Sequence, residues 1–293
     1  MVSRYPEWLK KKLPAGGDVQ RTRNLIGELG LNTVCRSAVC PNQGECFARG
    51  TATFLILGDV CTRNCRFCAV AGGKPKPPDP AESGRLARAV SALGLKHAVI
   101  TSVTRDDLPD GGASQFVSAI EAVRKLGKDV SVEVLTPDFG GDKVSIDKVA
   151  SAQPEVYNHN IETVPRLYRS VRPGADYRRS LELLERVKKR NPDILTKSGL
   201  MAGLGEKAAE VERVMEDLRS AGCDIITIGQ YLQPSPAHLE VKEFVTPQTF
   251  EQYRKAALEM GFLNALCGPF VRSSYRAEGL MLDRTQNSEL STQ

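Results

Sequence analysis

The stretch TFLILGDVCTRNCRFC, residues 53–68, decides how the rest of the chain is read. Its first half, TFLILGD, is an apolar, β-branched run ending on Asp59, the pattern of a buried strand arriving at a loop. Its second half gathers Cys61, Cys65 and Cys68 in CxxxCxxC spacing, and the next cysteine after them is Cys223. A structural zinc site uses four protein ligands in closed tetrahedral geometry, commonly delivered by two CxxC pairs. Three thiolates from one loop instead suit three irons of a four-iron four-sulfur cluster, leaving the fourth iron open to an exogenous ligand.

Outward from this stretch, five more short apolar runs follow: AVITSV (98–103), VSVEVL (130–135), EVYNHNI (155–161), DILTKSGL (193–200) and DIITIGQ (224–230). Most of the intervals carry apolar residues every three or four positions, as in AESGRLARAVSALG, ASQFVSAIEAVRKLG, DYRRSLELLERVKKR and EKAAEVERVMEDLRSAG. Repeated βα units at this spacing predict a parallel sheet. The runs begin apolar and end polar, in Asp59, Ser102 with Thr104, Glu133 with Thr136, Asn158 with Asn160, Lys197 with Ser198, and Gln230. Ligands of parallel βα folds sit at the carboxyl ends of the strands, so one mouth lined by six strand ends is expected. The fold class is therefore α/β, a partial (β/α)6 TIM-like barrel over residues 51–231, with extensions at 1–50 and 232–293 that do not continue the repeat.

The 293 residues are 41% hydrophobic and 26% charged, enough to bury a sizeable core and too apolar for disorder. MVSRYPEWLKKKLP lacks the apolar run of a signal peptide, and no segment reaches the length of a membrane span, so a soluble, cytoplasmic protein is expected. Eight cysteines in a large chain of this kind point to reduced thiols holding metal rather than to disulfides. Clusters such as KKK (10–12), RRS (178–180) and KKR (188–190) could meet an acidic protein or a phosphate, or simply form solvated helix faces. No aromatic interleaving argues for nucleic acid.

CxxxCxxC with an aromatic, Phe67, just before the last cysteine resembles the signature of the radical S-adenosylmethionine enzymes. A second constellation lies upstream: CRSAVCPNQGEC places Cys35, Cys40 and Cys46 in CxxxxCxxxxxC order. Combined with VTRDDLPDGGA, VEVLTPDF, NHNIETVPRLYRSVRPGADY, KSGLMAGLGE, IGQYLQPSPAHL and the late GPFVRSSY, the chain resembles the lipoyl synthases from about residue 6 to residue 277. It departs from their usual pattern at Lys207, where threonine is common, and in carrying Cys267 just ahead of RSSY.

That resemblance implies two four-iron four-sulfur clusters and S-adenosylmethionine as cofactors. One cluster would be held by Cys61, Cys65 and Cys68, and the auxiliary one by Cys35, Cys40, Cys46 and one of Ser273 and Ser274, of which we take Ser274. Matching strand-end motifs nominate Phe67, Thr101, Asp106, Glu133, Asn160, Glu162, Lys197 and Gln230 as cofactor contacts, while His97, His159 and His238 receive no chemistry. The implied reaction inserts sulfur at carbons 6 and 8 of an octanoyl chain on a carrier lysine, with the auxiliary cluster as donor. Implied partners are octanoylated lipoyl carrier domains, namely the acyltransferase subunits of 2-oxoacid dehydrogenases and the glycine cleavage H protein. An electron donor such as ferredoxin or flavodoxin and cluster-assembly proteins are implied as well. Arg166, Arg169, Arg178 and Arg179 could steer an acidic carrier.

Overall fold

The computed structural model describes residues 5–11, 17–127 and 129–279. Lys12 of the KKK cluster and the tail from residue 280 lie outside the described residues. Helices α1 (Gly17–Glu28), α2 (Val34–Ser37) and α3 (Gln43–Ala48), with the short strand β1 (Asn32–Thr33), precede β2 (Thr53–Ile56). A two-stranded pair, β3 (Val60–Cys61) and β4 (Ala71–Gly72), brackets the CxxxCxxC loop. The repeat then runs α4 (Glu82–Ala92), β5 (His97–Ser102), α5 (Ala113–Arg124), β6 (Ser131–Leu135), α6 (Lys143–Ser151) and β7 (Val156–Asn158). It continues with α7 (Tyr168–Val171), α8 (Tyr177–Arg190), β8 (Leu195–Ala202), α9 (Ala208–Ser220), β9 (Ile225–Gln230), α10 (Pro247–Glu259) and β10 (Asn264–Gly268).

The main sheet has the order β1-β2-β5-β6-β7-β8-β9-β10, with only β1 antiparallel. Strands covered on both faces must be apolar throughout, which is why IITIGQ is buried at every position of β9. The helices cover the outside through one face each: α8 buries Leu183, Leu184 and Val187 and leaves Lys189 and Arg190 on the surface. Asp176 starts that helix, its carboxylate accepting the Arg179 N–H at 2.8 Å.

The C-terminal extension departs from the expectation that the repeat stops near residue 232. Thr246 caps α10 with Pro247 in its first turn, and β10 pairs parallel to β9 from Asn264↔Ile225 to Gly268↔Gly229. A seventh parallel strand thus joins the six. Its run, NALCG, ends on no polar group and follows the proline-broken segment 232–247, so it carries no strand signature of the kind shared by the others.

Beyond β10 the chain turns onto the barrel interior. The backbone of Val271 packs so closely on β9 that a Cβ at Gly229 would collide with the Val271 carbonyl. Ser273 and Ser274 reach opposite sides: Ser273 Oγ accepts from Asn158 Nδ2 at 2.7 Å and donates to Asn160 Oδ1 at 2.9 Å, while Ser274 Oγ accepts from Thr53 Oγ1 at 2.8 Å. The tail therefore spans from β7 to β2 across the barrel.

Candidate active site

A cavity of about 510 Å³ opens at the carboxyl ends of the strands, within the size range of sites for small cofactors. Thr101 and Ser102 reach it from β5, Leu135 from β6, Gly199 to Met201 from β8, and Gly229 and Gln230 from β9. Residues of both cysteine constellations line it, Cys61, Cys65 and Cys68 together with Cys35 and Cys40, and so do Ser273 and Ser274. A smaller recess of about 50 Å³ collects Cys35, Cys40, Cys46 and Ser274. Cys35, Cys40 and Ser274 belong to both spaces, so the upstream set forms part of the wall between them.

The CxxxCxxC loop is pinned by its non-cysteine residues. Arg63 pairs with Asp106 through two bonds of 2.8 Å and with Asp138 at 2.6 Å. Arg66 exchanges backbone bonds with Val171 and Leu239, and His238 Nε2 lies 3.0 Å from the Cys68 carbonyl oxygen. The upstream set is placed by the pairing of β1 with β2, which sets Cys35 beside Thr53. It is also placed by Glu45, whose carboxylate meets Lys11 at 2.5 Å, the Tyr275 hydroxyl at 2.8 Å and Arg276 at 3.3 Å. The Lys11 ammonium also sits over the Phe270 and Tyr275 rings.

Burial pushes the Cys65 thiol up to about 11 and Cys68 to about 12; on the other side it pushes Cys35 to about 12 and Cys46 to about 11. These thiols hold their protons until a metal displaces them, so loading the sites must release protons. Three thiols from one loop, and three thiols with a serine hydroxyl lining the recess, are donor sets that fit four-iron clusters. Among the described residues, three that line the cavity carry buried groups without a hydrogen-bond partner, the Ser102 and Thr136 hydroxyls and Arg172 Nε, as expected where a polar ligand completes the wall.

Of the expected cofactor contacts, Phe67, Thr101, Asn160, Glu162 and Gln230 line the cavity. Glu162 does so from a left-handed backbone (φ 67°), a strain held by its pairing with β8, and burial raises its carboxyl pKa. Gln230 is already saturated: its amide donates to Ala202, Tyr231 and Glu243 carbonyls and accepts from the Val245 N–H.

Asp106, Glu133 and Lys197 do not line this cavity. Asp106 instead anchors Arg63 in the cysteine loop. Glu133 and Lys197 lie mid-strand inside the barrel, each 1% exposed at the side chain, and bond each other at 2.9 and 3.0 Å. Burial raises the Glu133 pKa, but Lys197 and the hydrogen-bonded His97 outweigh it and hold the carboxyl at about 2. Asn158 Nδ2 also donates to Glu133, linking this pair to Ser273. His159 has Nδ1 on the Thr136 carbonyl and Nε2 on Ser180 Oγ, a structural role.

Arg63, Arg172, His238 and Arg272 carry no signal of their own in the sequence. Each lies in a quoted motif, CTRNC, SVRPGADY, SPAHL or RSSY, yet only tertiary contacts reveal its part.

Residues 55–230 match the radical SAM superfamily. A lipoyl synthase of Caldanaerobacter subterraneus subsp. tengcongensis is 56% identical over 97% of this chain and 100% of its own. A lipoyl synthase of Desulfotalea psychrophila is 56% identical over 94% of this chain and 92% of its own. The crystal structure of methylornithine synthase superposes with a TM-score of 0.55 at 13% identity, covering 83% of this chain and 73% of that one, a likeness of fold. A radical SAM barrel with a second set of cysteines on the same cavity, and near-full-length identity above one half, place the chain in the lipoyl synthase family of the radical SAM superfamily.

Proposed function

We propose that this cavity is the chamber in which two sulfur atoms are inserted at carbons 6 and 8 of a protein-bound octanoyl-lysyl group. The chain is a radical SAM sulfurtransferase that uses S-adenosylmethionine and four-iron four-sulfur clusters. The observation supporting the placement is that Cys61, Cys65 and Cys68 line one space together with Cys35, Cys40 and Ser274. Cys61, Cys65 and Cys68 would hold the cluster that binds the cofactor, and Cys35, Cys40, Cys46 and Ser274 the auxiliary one. Bound there, these groups supply the electron and carbon radical that breaking unactivated C–H bonds demands, and the sulfide that replaces the hydrogen.

The chain's own residues supply the rest. Leu55, Val103, Leu135, Leu200, Met201 and Val271 give the cavity apolar walls that receive an acyl chain and keep out water and competing hydrogen donors. Phe67, Thr101, Asn160 and Glu162 would contact the cofactor, and Gln230 shapes the wall. Arg172 sets a fixed positive charge near Cys65 and Glu162. Ser274 offers an oxygen, a harder ligand to iron than thiolate and the bond suited to give way when the auxiliary cluster is consumed.

The substrate partners are lipoyl carrier domains, including those of 2-oxoacid dehydrogenases and the glycine cleavage H protein. An electron donor of ferredoxin or flavodoxin type and cluster-assembly proteins complete the set. Eight free thiols suit a reducing, cytoplasmic setting, and among the described residues no helix is long and apolar enough to cross a membrane. Arg166 pairs with Glu210, and Arg179 with Asp138, which leaves Arg169 and Arg178 as the exposed charges of the basic patch without an ion pair among the described residues. Carrier capture should weaken with salt, and salt-independent capture would remove this patch from docking.

Anaerobic reconstitution tests the reading. Two four-iron clusters give about eight irons per chain, with release of 5′-deoxyadenosine on adding S-adenosylmethionine and a reductant. Binding of about one zinc with no cofactor cleavage would contradict it.

A further inference from the structure

We propose that Arg272 is the fixed counter-charge of the auxiliary centre, a positioning residue that holds that centre to the wall between recess and cavity. The proposal rests on the functional reading above.

Arg272 is one of the few residues that line both the recess and the main cavity, together with Cys35, Cys40 and Ser274. Its guanidinium packs against β9, within 3.3 Å of where a Cβ on Gly229 would stand, and is fixed there by the absence of that atom. Its only hydrogen bond among the described residues runs from Nη1 to its neighbour's carbonyl, Val271 O, at 2.6 Å.

The other sequestered arginines differ. Arg63 has Asp106 and Asp138, Arg105 has Asp107, and Arg172 donates to three oxygens, those of Asn160, Ile161 and Tyr168. A charge largely withdrawn from water is retained where something opposes it, and the half-buried Arg272 has no carboxylate in an ion pair among the described residues. Cys40 lines both spaces with it, and Glu162 lines the main cavity.

Three thiolates and a serine oxygen around the iron core make the auxiliary centre an anion. Net charge and nearby hydrogen-bond donors set both the retention and the potential of such a centre. A guanidinium with four unused N–H directions beside Cys40 matches that need. It also stands two residues from Ser274, so the same short segment would carry the centre's weakest ligand and its compensating charge.

Arg272→Gln tests this in the reconstituted full chain, with iron loss to a chelator followed against time. Wild type should lose its two sets of iron in separable phases, and the variant should lose the auxiliary set roughly tenfold faster, leaving the Cys61/Cys65/Cys68 set unchanged. The potential of the auxiliary centre should move to more negative values, and Arg272→Lys, which keeps the charge, should restore both readouts in part. Equal rates and potentials in wild type and Arg272→Gln would overturn the proposal. So would unchanged iron retention with lost S-adenosylmethionine binding, which would assign Arg272 to the cofactor. If Arg272→Gln does not fold, Arg272→Lys alone should still show an intermediate rate, and a wild-type rate there would count against it. A wild-type chain holding only about four irons would instead overturn the two-cluster reading.

Discussion

The two cysteine sets are built in opposite ways. Cys61 ends β3 and Cys65 and Cys68 lie in the loop that follows it, pinned by Arg63, Arg66 and His238 to neighbouring loops. The upstream set is composite: residues 35–46 and Ser274 meet only because the tail after β10 docks back on the barrel and onto Glu45. A loop motif survives wherever its loop survives. A composite site depends on every contact that brings its ends together, and it can be loosened without harm to the other. The difference suits a division of labour in which one centre persists and the other is dismantled.

The most severe break of this contrast is at the ligands. Cys65→Ala should reduce both 5′-deoxyadenosine release and lipoyl formation to background. Cys40→Ala should keep deoxyadenosine release while lipoyl formation falls to background. If Cys40→Ala lost both, the two sets would not be separable.

Next comes the buried pair that anchors Ser273 through Asn158. Lys197→Met strands the Glu133 carboxylate inside the barrel and should destabilise the fold by about 3–5 kcal/mol, read from urea denaturation. A loss below about 1 kcal/mol would mean the pair is solvated.

His159 sharpens the contrast from the other side, because its ring nitrogens tie the Thr136 carbonyl to Ser180 at the cavity wall. Burial first, then Arg172, lower its pKa from the ordinary 6.5 to about 4, so the folded chain keeps the ring neutral. The unfolded chain takes up the proton first on acidification, and stability should fall between about pH 6.5 and pH 4, by about 3 kcal/mol in all. Denaturation midpoints across that window should flatten in His159→Gln, and an unchanged slope would assign the acid sensitivity elsewhere.

The smallest effect is expected at Tyr275→Phe, which removes one bond to Glu45. Auxiliary iron should be retained about tenfold less well, with iron in the other set unaffected. Equal loss from both sets would show that the tail supports the whole barrel rather than one site.

Much of this is legible in the sequence because spacing is local information. CxxxCxxC, the six apolar runs, and the polar ends Ser102, Thr104, Thr136, Asn160 and Gln230 all lead to the cavity. Glu133 and Lys197 obey the same polar pattern but do not reach it. β8 runs on past Lys197 to Ala202, and Glu133 sits in the middle of Ser131–Leu135, so both are interior rungs that satisfy each other. Asp106 follows a strand end too, but an arginine of another loop claims it, and no spacing encodes that partner. The seventh strand, the Glu45 contacts and the reach of Ser274 to Thr53 span separations of up to 231 residues, beyond what periodicity can register.

The central claim is that the upstream centre, facing the same cavity as the radical centre, is the source of the inserted sulfur. Its most direct measurement is a single turnover by protein reconstituted with isotopically labelled sulfide, in the absence of any other sulfur source, with the lipoyl product read by mass spectrometry. Label at both sulfur positions in wild type, with no product from Cys40→Ala, is predicted; lipoyl product free of label would contradict the account.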